Sequence, residues 1–133
     1  MTVIDASSLA KYILREDNWK KIREYLEDEV YSLNLALFEI SNAIWKHYIL
    51  YGKISGEEAM VAFEAAKILK DIVIFESFED HLDNAMKISN DNKIPVYDAL
   101  YISQAHKHGK MITSDKLQRD VADKMGIEVE YIE

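Results

Sequence analysis

Four acidic residues, far apart along the chain, each stand where a carboxylate has either structural or chemical work to do. Asp5 ends the β-branched run Thr2–Asp5, and Asp115 follows the apolar run Met111-Ile112-Thr113-Ser114. Each marks a change from strand to helix, so each suits an N-cap, whose side-chain oxygen accepts a free amide of the first helical turn. Asp98 lies in line with Tyr101, Ile102 and Ala105 on one helical stripe and has no basic residue three or four positions on. A carboxylate heading a buried stripe is costly unless it caps, is paired or binds a cation. Glu39 shares a helix face with Asn42 and Lys46. It reads as a solvated residue of an amphipathic helix or, together with Asn42, as the lining of a cleft.

Other reactive groups are scarce. The 133 residues include no cysteine, which excludes a disulfide scaffold, a zinc ribbon and a thiol nucleophile. His47, His81 and His106 fall on different expected helices, while His106 and His108 are two residues apart and face different sides. The histidines therefore suit surface or partly buried positions rather than a catalytic pair.

The elements that must hold these side chains follow from apolar spacing and a few breakers. With one proline and four glycines, linkers are short and helices dominate. Strands are expected at Thr2–Asp5, Val30–Leu33, Ile72–Phe75 (as a short buried strand), Lys110–Ser114 and Ile127–Ile132. Asp5-Ala6-Ser7-Ser8 opens a helix with Leu9, Tyr12 and Ile13 on one face, and a second helix is expected over Asp17–Glu29. Ser32 or Asn34 opens a helix running to Leu50 with Leu37, Ile40, Ile44 and Tyr48 in phase; Gly56–Lys70 carries Ala59, Phe63, Ala66 and Leu69 inward. Further helices are expected at Phe78–Asn90, Asp98–His108 and Lys116–Met125.

Short apolar strands alternating with helices give a parallel sheet covered on both faces. The expectation is one three-layer α/β/α domain, a central parallel sheet flanked by helices, spanning residues 1–133. In such sheets the site lies beyond the carboxyl ends of the strands, where strand order switches. Asp5 and Asp115 occupy two such ends. A hydrophobic share of 49% and a charged share of 30% are those of a soluble globular protein and disfavour disorder. Charged residues interrupt every apolar stretch well short of about 18 residues, and the start lacks a basic signal region. A cytoplasmic protein with no membrane segment is expected.

Four stretches together resemble the PIN domain family, particularly VapC-type toxin ribonucleases. Val3-Ile4-Asp5-Ala6-Ser7-Ser8-Leu9-Ala10-Lys11-Tyr12 resembles the family's first strand and helix entry. Phe38-Glu39-Ile40-Ser41-Asn42-Ala43-Ile44 resembles the second motif, glutamate with asparagine three residues later. Pro95 through Ala105, centred on Tyr97-Asp98-Ala99-Leu100-Tyr101, resembles the third and most specific, and Ile112-Thr113-Ser114-Asp115-Lys116 the fourth. Order, spacing and length match over essentially the whole chain. Two departures are that Asn34 to Leu37 lacks a proline and that Ser103-Gln104 replaces a more apolar pair.

The resemblance implies that Asp5, Glu39, Asp98 and Asp115 form an acidic quartet holding Mg²⁺ or Mn²⁺, with Ser7, Asn42 and Thr113 as supporting polar residues. Two carboxylates about 5 Å apart repel by roughly 3 kcal/mol at an effective dielectric near 20, so a quartet requires protons or cations. An all-oxygen ligand set selects a hard divalent ion, which would activate water against a phosphodiester bond. A metal-dependent endoribonuclease, the VapC-type toxin of a type II toxin–antitoxin system, is the expected activity. A formal charge of −8 argues against a sequence-independent nucleic-acid coat, but a bound cation inverts the local field. Lys11, Arg15, Lys116 and Arg119 follow the first and last aspartates and are expected to rim the acidic pit and grip RNA phosphates.

Tyr12, Trp19, Tyr25, Trp45, Tyr48 and Tyr51 exceed what a core of this size needs. They suit a homodimer face and a groove for a partner helix, which the resemblance implies is a VapB-type antitoxin. A housekeeping PIN nuclease in RNA processing and a non-catalytic interaction module with this fold are the alternatives. A response-regulator receiver has similar layering, but needs an acidic pair after the first strand and a lysine after a late one. Asp5 has no acidic neighbour, and Thr113-Ser114 ends the late strand.

Overall fold

β-branched and aliphatic runs too short to form helices become strands, and each is followed by a segment that folds back over the sheet. The computed structural model describes all of residues 1–133. The strands are β1 (Thr2–Ile4), β2 (Val30–Leu33), β3 (Ile74–Glu76), β4 (Lys110–Thr113) and β5 (Glu128–Tyr131). They pair entirely in parallel in the order β3-β2-β1-β4-β5.

The helices are α1 (Ala6–Ile13), α2 (Trp19–Tyr25), α3 (Ala36–Trp45), α4 (Gly56–Ile68), α5 (Leu82–Asn92), α6 (Val96–His108) and α7 (Lys116–Lys124). From β1 the chain steps outward to β2 and β3, then crosses back past β1 to β4 and β5. Right-handed crossovers then place α1–α4 on one face and α5–α7 on the other. Packing agrees: α1 to α4 contact one another, while α6 lies against β1, β2 and β4 with α5 and α7 beside it. The switch in strand order falls between β1 and β4, and the crevice there is the expected location of a site.

Val3, Ile4, Leu33, Met111 and Ile112 from the strands and Leu9, Ile22, Ile40 and Ile102 from the helices are fully buried. α6 is enclosed on all sides from Ala99 to Ala105. Ser103 and Gln104 within it hydrogen-bond inside the core: Gln104 Nε2 donates to the Ser32 carbonyl at 2.7 Å and Asn84 Nδ2 donates to Ser103 Oγ at 3.0 Å, while Gln104 Oε1 is buried without a partner. The Ser103-Gln104 departure thus replaces apolar packing with hydrogen bonds. No helix is long and apolar enough to cross a membrane.

Four expectations needed correction. The second helix stops at Tyr25 rather than Glu29, because Glu24, Glu27, Asp28 and Glu29 crowd acid at the negative end of the helix dipole. The third strand begins at Ile74, pairs with β2 alone and has Ile74 exposed; it is an edge strand, not a buried one. The long third helix passes into a π-helical turn at Lys46–Leu50. That turn breaks the 3.6-residue phase, so Tyr48, expected inward, is exposed. In α4, Ala62 is buried and Phe63 lies more than a third exposed. The start of α4 is also shaped by that turn, since a Cβ at Gly56 would stand 3.2 Å from Tyr48 Oη.

Candidate active site

The crevice between β1 and β4 is built around one fully buried carboxylate. Asp5 follows β1 directly and caps α1, accepting the Ser8 amide at 3.0 Å. Burial of this cap is unusual, because a surface cap leaves its second oxygen to water. Here Thr113 Oγ1, at the end of β4, donates to Oδ2 at 2.6 Å, and Ser7 Oγ lies 2.8 and 2.7 Å from the two oxygens. Ser7 and Thr113 accept in turn from the backbone: Ser114 N–H on Ser7 Oγ at 3.0 Å and Asp115 N–H on Thr113 Oγ1 at 3.0 Å. Ser8 and Ser114 hydroxyls add a 2.9 Å contact across the same seam. The loops after the two switch-point strands are therefore tied together through the Asp5 carboxylate.

Three further acids come to this centre from three other segments. Glu39 stands in the first turn of α3, Asp98 in the first turn of α6, and Asp115 caps α7 by accepting the Gln118 amide at 2.9 Å. Their proximity shows in their ionisation. Burial pushes Asp5 up to about 6 against the donations of Thr113, Ser7 and Ser8, and the Asp115 charge adds to the rise. Burial likewise lifts Glu39 to about 7, opposed by Tyr101 and reinforced by the charges of Asp5 and Asp98. Asp98 is also raised, by burial first and then by Asp115, with the Gln118 amide working the other way. Asp5 thus feels Asp115, Glu39 feels Asp5 and Asp98, and Asp98 feels Asp115, which places all four in one electrostatic group.

Two further residues hold this group in place, Tyr101 from the apolar stripe of α6 and Gln118, which its sequence position alone does not single out. Tyr101 Oη donates to Glu39 Oε2 at 2.6 Å. Its phenol is pushed far up by burial and by Glu39, so it remains a donor. Gln118 Nε2 donates to Asp98 Oδ1 at 2.9 Å, while Gln118 Oε1 is buried without a partner. A signal existed for both: a tyrosine on a buried stripe needs a partner for its hydroxyl, and Asp115-x-x-Gln118 has the spacing of a capping box. In the fold the Gln118 side chain reaches across to α6 instead of back to its own cap.

The remaining expected residues are more dispersed. Asn42 is exposed one turn along α3, and Lys11 lies in the last turn of α1. Lys116 is exposed beside Asp115 at the start of α7. Arg15, past the far end of α1, stacks 4.0 Å from the Trp19 ring centroid; Arg119 stacks 4.6 Å from that of Tyr131 and pairs with Asp120 at 2.9 Å. A fifth acid at the carboxyl edge, Glu76, is hydrogen-bonded locally. Burial would raise it, but donation from Gln104 at 2.8 Å, His108 at 2.9 Å and His81 at 3.2 Å holds it below the usual carboxylate range.

The donor set around Asp5 is all oxygen, which suits a hard cation. No group of three or more acids and histidines is arranged so that it could hold a metal ion.

Comparison with known proteins gives the same architecture. The chain is 29% identical over 125 residues to Ribonuclease VapC3 of Pyrobaculum aerophilum, covering 92% of each protein. The crystal structure of PAE2754 from Pyrobaculum aerophilum superposes with a TM-score of 0.65 at 27% identity, over 90% of this chain and 83% of that one. FitAcB from Neisseria gonorrhoeae superposes with a TM-score of 0.62 at 16% identity, over 97% and 96% of the two chains, a likeness of fold. The PIN domain family model matches residues 2–124. With a parallel sheet in the order β3-β2-β1-β4-β5 and a family model that spans nearly the whole chain, the chain belongs to the PIN domain family.

Proposed function

We propose that this protein is a metal-dependent endoribonuclease of the VapC type, the toxin of a toxin–antitoxin pair. The observation that supports this most is the buried Asp5 carboxylate at the β1–β4 switch point, raised to about 6 and electrostatically joined to three acids from separate segments. A buried acidic group of this kind is poised to exchange protons for a divalent cation. Asp5, Asp98 and Asp115 would hold Mg²⁺ or Mn²⁺, with Glu39 as a further ligand or as the group that orients water. Bound there, the ion would supply an activated water and a positive charge at the scissile phosphate.

The protein's own part is positional. Thr113 and Ser7 fix both Asp5 oxygens, Tyr101 fixes Glu39, and Gln118 fixes Asp98. Such outer hydrogen bonds set ligand orientation and basicity. Cleavage through a ribose 2′-hydroxyl would use histidine as base, yet His81 and His108 are bound to Glu76, His47 to the Ala43 carbonyl, and His106 is in the last turn of α6, at the opposite end of that helix from Asp98. A 5′-phosphate product is therefore expected.

The partner reading draws on surface shape. Trp45, Tyr48, Ile49, Leu50 and Tyr51 form an exposed apolar ridge at the end of α3. Between α1 and α4 runs a groove of about 430 Å³ bordered by Ile13, Ile54, Val61 and Ala65. These fit a homodimer face and the seat of a VapB-type antitoxin. The test of activity is to sequence RNA ends after controlled expression of wild type and Asp98→Asn. New 5′-phosphate ends present only with wild type are expected; identical end maps would overturn the nuclease reading.

A further inference from the structure

The helix that carries Glu39 has no side-chain cap of its own. α1, α4 and α7 begin at Asp5, Ser55 and Asp115, whose side chains accept first-turn amides. α3 begins after Leu35, which makes no such bond, so its first turn is placed by contacts from outside the helix. Tyr101 reaches Glu39 from α6. The second hold is on Asn34, the residue before Leu35. Its backbone N–H donates to the Glu76 carbonyl at 2.9 Å, and its Oδ1 accepts the Phe78 N–H at 3.1 Å. Asn34 is thus clasped, by backbone and side chain, to the end of β3 and the turn that follows.

The end of β3 is in turn fixed by the Glu76 side chain. β3 is a three-residue edge strand paired with β2 alone, the kind of element that opens locally at little cost. Glu76 Oε1 accepts from Gln104 Nε2 at 2.8 Å, His108 Nε2 at 2.9 Å and His81 Nε2 at 3.2 Å. A carboxylate only accepts, so both imidazoles present N–H there. The side chains of His81 and His108 are 4% and 9% exposed, which makes this an internal anchor rather than a surface pairing. Gln104 Nε2 also reaches the Ser32 carbonyl of β2, and His108 stacks on Tyr31 of β2 with ring centroids 4.5 Å apart. The 3₁₀ turn Phe78–His81 is tied to α6 as well, by Ser103 Oγ on the His81 carbonyl at 3.3 Å.

Tyr101, Gln104 and His108 fall at i, i+3 and i+7, on one stripe of α6. That stripe grips two carboxylates, Glu39 inside the crevice and Glu76 outside it. Resting on the ribonuclease reading above, we infer that Glu76 is a positioning residue for Glu39: anchored on α6, it holds the end of β3 and, through Asn34, sets the entry of α3. Its own bonds run to α6 and the 3₁₀ turn and none to the four acids. Displacing a reacting group by about 1 Å through a distant substitution lowers a rate by up to about a hundredfold.

The test compares wild type with Glu76→Ala, Glu76→Gln, Asn34→Ala and Asn34→Asp. Glutamine keeps an acceptor oxygen at 76 and aspartate keeps one at 34. Asn34 is exposed, so its variants report on the clasp even where Glu76→Ala does not fold. Amide hydrogen exchange is followed by NMR without divalent ions. Cleavage of an oligoribonucleotide spanning a cut site mapped as above gives kcat and KM in Mn²⁺. Both alanine variants are expected to speed exchange of the Phe38 and Glu39 amides, which donate to the Leu35 carbonyl, and to leave β1 and α7 as in wild type. They should lower kcat about tenfold with KM within about twofold. Glu76→Gln and Asn34→Asp should restore both readouts.

Wild-type exchange at Phe38 and Glu39 in the alanine variants, or an unchanged kcat, would overturn the inference. So would faster exchange spread evenly over α6, β1 and α7, or failure of glutamine and aspartate to restore kcat, since Glu76 would then support the fold as a whole. If wild type cleaves no RNA while the alanine variants loosen the α3 turn alone, the nuclease reading falls and the positioning of Glu39 stands.

Discussion

Asp5 carries two roles that pull in opposite directions. As a cap and a bridge to β4 it holds α1 and the switch point together; as a buried carboxylate raised to about 6 it costs folding free energy once ionised. Asp5→Asn keeps the cap, because asparagine caps as well as aspartate, and removes the charge. Cleavage should disappear while the melting temperature at pH 8 without divalent ions rises by several degrees, roughly 1–2 kcal/mol. A variant that loses activity by unfolding would contradict this. Thr113→Val strips the 2.6 Å donor from Asp5 without changing volume. It should destabilise by about 1–3 kcal/mol at pH 8 and by less at pH 5, where a protonated Asp5 needs that donor less; urea titrations at the two pH values read the difference. Tyr101→Phe acts on Glu39 instead. Losing the 2.6 Å donation lets Glu39 rise above about 7, so the acid limb of the pH–rate profile should move to higher pH at little cost in stability. The four acids were visible in the sequence because strand-end carboxylates and a carboxylate on an apolar stripe are chemically conspicuous. Tyr101 and Gln118 carried only generic signals, a buried hydroxyl and a capping-box spacing, because the partner of a hydroxyl or an amide is set by what it reaches across the fold.

At the scale of elements, the sheet was more readable than the helices' edges. A short apolar run between breakers is a strand whatever its neighbours, so Val30–Leu33 emerges at its observed bounds. Whether a strand is central or at an edge depends on which partner lies beyond it, and the Ile72–Phe75 run holds no record of that. Rotation of α4 was similarly hidden, since Ala62 and Phe63 fit the same period and only packing against α3 favours the smaller side chain. The π-helical turn after Trp45 has no periodic signature at all. Where an element's end coincides with the site, substitutions can separate structure from chemistry. Asp115 caps α7 through the Gln118 amide and also feeds charge to Asp5 and Asp98. Asp115→Asn preserves the cap and removes the charge, and should lower cleavage with a change of under about 0.5 kcal/mol in stability. Asp115→Ala also loses the cap and should cost about 1 kcal/mol more. Equal activity in the Asn variant and wild type would leave Asp115 a cap alone.

For the molecule as a whole, the clustered acids tie stability to pH and to cations. Asp5 and Glu39 titrate at about 6 and about 7 in the folded chain, against 3.8 and 4.5 for the free groups. Between those limits the folded state holds more protons than the unfolded one, so stability falls as pH rises from about 4 to about 7 and then levels off. This is the reverse of a protein whose carboxylates sit in salt bridges, and Glu76, held below its usual range, opposes it only at lower pH. Above pH 7 the site is an unneutralised group of negative charge, and a divalent ion that binds only the folded, deprotonated form should restore what the protons gave. At one hundred times its dissociation constant such an ion adds about 2.7 kcal/mol, roughly 8 °C in melting temperature for a domain of this size. The expected pattern in thermal melts is a large Mg²⁺ or Mn²⁺ shift at pH 8, little shift at pH 5, and loss of most of the pH 8 shift in Asp5→Asn. An equal shift from KCl at matched ionic strength would mean general screening of the −8 charge, because screening acts on every surface carboxylate and has no reason to depend on one buried residue.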